Sequence, residues 1–142
     1  MQPAMPTEVE DFCETIEDCY EFTLSYAAKG VPADESSDLG RQLREKLQRA
    51  LSAMRGLEAG CAALIERHEL TPAEKYQAFF AVLARDAQSA AAAVDLVLAQ
   101  PVIGAQMIDN LNASIHLRAL LTDLFLVTEI FAARQAKPLA AR

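Results

Sequence analysis

Residues Leu43–His68 read LREKLQRALSAMRGLEAGCAALIERH, and their apolar positions recur with a heptad spacing. Leu43, Ala50, Leu57 and Leu64 form one series; Leu47, Met54, Cys61 and His68 form the other. A 3.5-residue period held for nearly four heptads is the seam of a helix packed against other helices, and no strand can carry it. Gly56 and Gly60 weaken such a helix by about 1 kcal/mol each relative to alanine, and they predict a neighbour that approaches closely. Ser36 or Ser37 supplies an N-cap oxygen, and the helix is expected to run to about Glu69.

Working outward, punctuation delimits three more helices. Thr7 and Glu10 have capping-box spacing, each side chain able to satisfy a free N–H of the first turn. This first helix should reach Lys29 and stop at Gly30, a natural C′ residue, before the loop GVPADESSDLG. The turn HELTPAEK repeats the start signal, with Thr71 as cap, Pro72 at the first helical position and Glu74 completing a box. The third helix then runs to about Ala99 with Tyr76, Phe80, Leu83, Ala87, Ala90, Val94 and Val97 on one face. Its run SAAAAV thins it where something packs closely. Pro101 breaks the pattern, and a single fourth helix is expected from about Pro101 to Gln135, ahead of Lys137-Pro138. The last three helices would each span roughly 45 Å at 1.5 Å per residue. Matched lengths and short connections predict an all-α fold: an up-down-up-down four-helix bundle with long helices 2–4, occupying residues 1–142 as one domain.

Composition is consistent with this. At 142 residues the chain can bury roughly 68–70% of its unfolded surface without disulfides or metals. It has no Trp, few Gly and Pro, and a formal charge of −7, which argues against a nucleic-acid or anionic-membrane surface. The start MQPAMPTEVEDF has no basic n-region and no apolar h-region, so no secretory signal is read. The greasiest stretch, Leu117–Phe131, is interrupted by Arg118, Asp123 and Glu129, which is unlike a membrane span. Cys13, Cys19 and Cys61 are odd in number and lack CxxC spacing, which suits buried thiols in a reducing cytoplasm.

Candidate chemistry is sparse. Di-iron bundles need Glu-x-x-His on two helices; no Glu here has a His three residues on, and the chain has only two histidines, so no metal and no cofactor is expected. There is no glycine-rich phosphate loop and no nucleophile elbow, and Cys13 and Cys61 fall on apolar seams, so no catalytic residue is assigned. The stripe Glu10, Glu14, Glu17, Glu21 is either a docking face for a basic partner or a solvated face opposed by Arg41, Arg44, Lys46 and Arg49. The opposite face, Val9, Phe12, Cys13, Ile16, Tyr20, Thr23 and Leu24, is core. His68 is read as a helix cap or wet core edge.

His116 remains. On one continuous helical wheel Asp109, Asn112, His116 and Asp123 fall within about 60° and form a polar surface cluster, while Leu117, Leu121, Leu124, Phe125 and Phe131 cover the other side. The segment IHLRALLTDL partly resembles the His-containing helix of histidine-kinase dimerisation domains, and a bundle suits these or histidine phosphotransfer proteins. The resemblance implies His116 as a phosphoacceptor. It departs where the kinase pattern has an acidic residue and a proline (here Leu117 and Leu121) and where the phosphotransfer pattern has Lys-Gly (here Ala119 and Leu120). The chain is assigned to no family on this ground.

One property exceeds what a monomeric bundle needs. Ile108, Leu111, Ile115 and Leu126 form a second apolar strip on the fourth helix, and Ala81, Ala84, Ala92 and Leu96 lie off the core face of the third. A bundle helix needs an apolar stripe of roughly 100°. The excess is either a central fourth helix touching several neighbours or an interface at Ile108, Leu111, Ile115, Leu126 and Leu96. The expectation is a non-catalytic, regulatory or chaperone-like interaction module, a homodimer or a binder of another protein's helix. A phosphotransfer domain and a small apolar-ligand sensor are the alternatives.

Overall fold

The structure, a computed structural model, describes residues 7–30 and 37–140, the first two and the last six of them as backbone alone. Among these the protein is all-helical, with five helices packed on one another: α1 (Thr7–Lys29), α2 (Asp38–Arg67), α3 (Ala73–Leu98), α4 (Ala105–Ala113) and α5 (Ile115–Ala140). α1 packs on α2 and α4, α2 on α3, and α3 on α5.

The heptad seam of α2 is the centre of the core. Leu43, Leu47, Ala50, Met54, Leu57, Cys61 and Leu64 are all buried, the two deepest being Leu57 and Leu64 at 0% exposure. His68 does not continue it. It is the exposed C-cap, its N–H donating to Leu64 O, and α2 ends at Arg67 rather than at Glu69. Glu69 takes a left-handed conformation (φ 48), which lets the N–H of Leu70 reach Ile65 O and turns Leu70 into the core in place of the histidine.

The start of α2 is capped by Ser37, whose Oγ accepts from Gly40 N at 3.0 Å. Ser36, most of the loop after Gly30 and the Thr7 side chain of the expected capping box lie outside the described residues. Gly30 has φ 60, as a C′ glycine should. The close approach predicted at Gly56 and Gly60 is made by the Phe12 ring of α1. A Cβ on Gly56 would lie 2.8 Å from Phe12 Cζ, and one on Gly60 3.2 Å from Phe12 Cε2.

Two boundaries differ from expectation. The Thr71–Glu74 capping box does not form: α3 begins at Ala73, and Pro72 holds the N-cap position in extended backbone (φ −74, ψ 122) with no side-chain cap. Its carbonyl accepts from Lys75 and Tyr76, so Thr71 stands one residue too far upstream. The larger correction concerns the expected fourth helix over Pro101–Gln135, which is two helices. It begins at Ala105, with Gly104 as N-cap, and breaks at Ser114, whose φ −58 and ψ 131 are extended. Ser114 is the start signal of α5, its Oγ accepting from His116 N and its carbonyl from Arg118 N. α4 lies against α1 and α5 against α3, two partners that flank α2; one straight rod would not follow both along its length.

The connection between α3 and α4 is held from both sides. Arg44 on α2 donates to Gln100 O at 2.7 Å and to Leu98 O and Pro101 O at 3.2 Å each. The buried Tyr26 hydroxyl of α1 donates to Ile103 O at 2.9 Å.

Candidate functional site

The break at Ser114 decides where the polar residues of this region go. Asp109 and His116 are exposed, but Asn112 and Asp123 are buried at 6% and 9% exposure, so the four make no single surface cluster. A helical wheel adds 100° per residue only along one helix, and Ser114 resets the phase between Asn112 and His116. Within α5, His116 and Asp123 share a face; it is open at the first turn and covered two turns later, where Asp123 meets Asp86 of α3.

Among the described residues Asp123 is the most perturbed carboxyl. The Asp123 carboxyl is pushed up from 3.8 to about 7, first by burial, then by its side-chain hydrogen bond to Asp86 and by the like charge there. Asp123 Oδ2 has no hydrogen-bond partner, and neither amide atom of the buried Asn112 has one. The wheel gave no hint of this pairing. The one signal was Asp86 lying beside Ala87 on the face that packs inward.

The interface candidates also divide. Ile108 (0% exposed) and Leu111 (6%) belong to the intramolecular core, while Leu96 (66%), Ile115 (74%) and Leu126 (47%) face outward. Phe125, placed with Leu117, Leu121, Leu124 and Phe131 on the side away from the polar residues, is 55% exposed, whereas those four are buried. Leu24 is likewise exposed, and Ala84 is buried rather than outward. Phe125, Leu126 and Ile130 give α5 an apolar outer face. Beside it, the first turns of α3 and the later turns of α5 enclose a groove of about 160 Å³ lined by Lys75, Tyr76, Phe79, Phe80, Val127, Ile130 and Phe131. Periodicity placed Tyr76 and Phe80 on one face of the third helix and Phe131 on the apolar side of the fourth, but it carries no sign of the trough between them. A second groove, about 320 Å³, lies between α2 and α3 on a floor of Met54, Ala84, Ala87 and Ala91, with Arg55 and Asp95 bridged across its rim at 3.2 Å.

The acidic stripe of α1 meets little of the expected basic face. Lys46 pairs with Asp18 at 2.5 Å, outside the stripe. Arg41 pairs with Asp38, Arg49 with Glu45, and Arg44 turns to the α3–α4 connection. Burial, with Glu21 and Glu14 adding like charge, raises the Glu17 carboxyl. Cys13, Cys19 and Cys61 are buried thiols in no disulfide, each pushed up to about 12, chiefly by desolvation. They stay protonated near neutrality and offer no thiolate nucleophile.

Among the described residues no three metal-ligating side chains gather, and no helix is long and apolar enough to cross a membrane. Comparison with protein-family models, with curated proteins and with solved structures finds no match.

Proposed function

We propose that this chain is a non-catalytic interaction module, regulatory or chaperone-like, that pairs through α3 and α5 with a second copy or with another protein's helix. The observation that carries it is the outer face of α5, where Phe125, Leu126 and Ile130 stand exposed beside the aromatic groove. Large apolar side chains side by side on a helix surface are a contact area in search of a cover. In this reading α4 and α5 together serve as the fourth arm of an up-down-up-down bundle, and α5 is its interaction edge. A reducing, cytoplasmic compartment belongs to the reading, supported by three buried cysteines without a disulfide. Light scattering during gel filtration tests it. A dimer that Phe125→Glu with Leu126→Glu converts to a folded monomer is the expected result; a strict monomer at high micromolar concentration refutes self-pairing.

A second reading takes His116 as a phosphoacceptor. It is supported by the exposure of the imidazole in the first turn of α5, where free helical N–H groups favour an anion. Acid-labile label from acetyl phosphate should then be lost in His116→Ala, and equal labelling of that variant rules the residue out. A small apolar ligand in the 160 Å³ groove is a third use of the same aromatics, read by thermal shift.

A further inference from the structure

We propose that Asp86 and Asp123 form a proton-sharing latch across the α3–α5 seam, and that loss of the shared proton loosens α5 from α3. The Asp123 carboxyl lies within hydrogen-bonding reach of Asp86 across the seam. A carboxylate carries no donor, so a bond between two carboxyl groups exists only while one of them holds a proton. Burial selects Asp123 as the holder, since it is 9% exposed while Asp86 is half-buried. The protonated Asp123 carboxyl therefore donates to the Asp86 carboxylate.

Nothing nearby would accept the charge if that proton left. Among the described residues, Asp86 from α3 is the charged group that acts on Asp123, and it is of like sign. The flanking cations Arg85 and Arg118 are exposed, as is Asp109, the only ionisable residue of α4. Asp123 Oδ2 has no partner, and Leu120, Leu124 and Val127 around it on α5 are buried. A second negative charge would thus stand desolvated beside the first. Separation of the helices, or entry of water between them, is the relief available.

The location makes this consequential. α5 packs chiefly on α3, so the seam that holds the acid pair is the main attachment of α5. The same two helices enclose the aromatic groove, with Val127 one turn beyond Asp123. The latch is closed when Asp123 is protonated and released as pH rises through about 7. It does not depend on whether α5 pairs with a second copy.

Two measurements on the whole chain test it. Carbon-13 titration of the Asp carboxyls should show Asp123 changing near pH 7; a midpoint in the ordinary carboxylate range, near 4, overturns the latch. Hydrogen exchange, corrected for intrinsic rate, should show α5 amide protection falling at least tenfold between pH 5 and pH 8, and levelling off above about pH 7, while α2 amides hold. Asp123→Asn, whose amide donates to Asp86 at every pH, should remove that fall; equal falls in both proteins overturn the latch. Asp86→Asn covers the case in which the first variant does not fold. It should bring the Asp123 midpoint down, and an unchanged midpoint excludes the sharing.

Discussion

Arg44→Ala is expected to destabilise the fold by about 2–3 kcal/mol, although Arg44 joins none of the apolar series. α3 ends with no basic residue in its last turn, and its C-cap Ala99 sends its N–H back to Asp95 O. The next carbonyls, Leu98, Gln100 and Pro101, are taken by Arg44 from α2, at 3.2, 2.7 and 3.2 Å. A net hydrogen bond to a charged donor contributes about 1.5–3 kcal/mol, which the 2.7 Å bond approaches. The two longer bonds add less, because Pro101 is exposed and water replaces the guanidinium there. For a chain of this size the loss corresponds to a fall in Tm of roughly 6–12 °C. Arg44→Lys keeps the charge but not the planar fork, so it should recover about half of the loss. Urea unfolding followed by circular dichroism gives the free energies, and hydrogen exchange over residues 99–104 gives the location. A loss below about 0.5 kcal/mol for the alanine variant, or a lysine variant equal to the parent, would refute the clamp.

Four further outcomes are expected. Tyr26→Phe leaves Ile103 O buried without its donor and should cost about 1–3 kcal/mol, coupled to Arg44→Ala because both hold one connection; strict additivity would argue against that. Asp123 binds its proton more tightly folded (about 7) than unfolded (3.8), so its stabilisation is full below about pH 4 and is lost as pH climbs to 7. The difference in unfolding free energy between parent and Asp123→Asn should therefore change by at most ~4 kcal/mol across that window, and a difference independent of pH contradicts the shift. Ser114→Ala removes the oxygen that caps α5 and should cost about 1 kcal/mol, read by chemical denaturation. The three thiols should label at pH 8 only at the rate of opening; rapid labelling of the folded chain would contradict their burial.

The site was less legible than the fold, and particular residues show why. Ile108 and Leu111 were rightly read as apolar, yet periodicity does not say whether a second apolar strip meets a neighbour inside the chain or solvent outside it. α4 packing on α1 buries those two, while Ile115, at 74% exposure, opens the next helix outward. Phe125 parts from the buried leucines of its side for the same reason, because its face is covered only if a further helix lies there. Asp123 looked like a surface acid because burying a carboxyl is costly, and the partner that makes it tolerable lies 37 positions away in sequence at Asp86.

Local, short-range physics was readable along the chain: the heptad of α2 from its 3.5-residue spacing, a serine cap at Ser36 or Ser37, the Gly30 stop, and the need for a close neighbour at Gly56 and Gly60. These depend on residues within a turn or two of one another. Which ring would fill the glycine notch, where the last arm would break, and which acids would meet across α3 and α5 depend on residues brought together by packing. Ser114 shows the division most clearly. Its hydroxyl can serve either as a tolerated residue inside a helix or as the cap of a new one, and the choice fell to α1 and α3, which hold α4 and α5 on different neighbours.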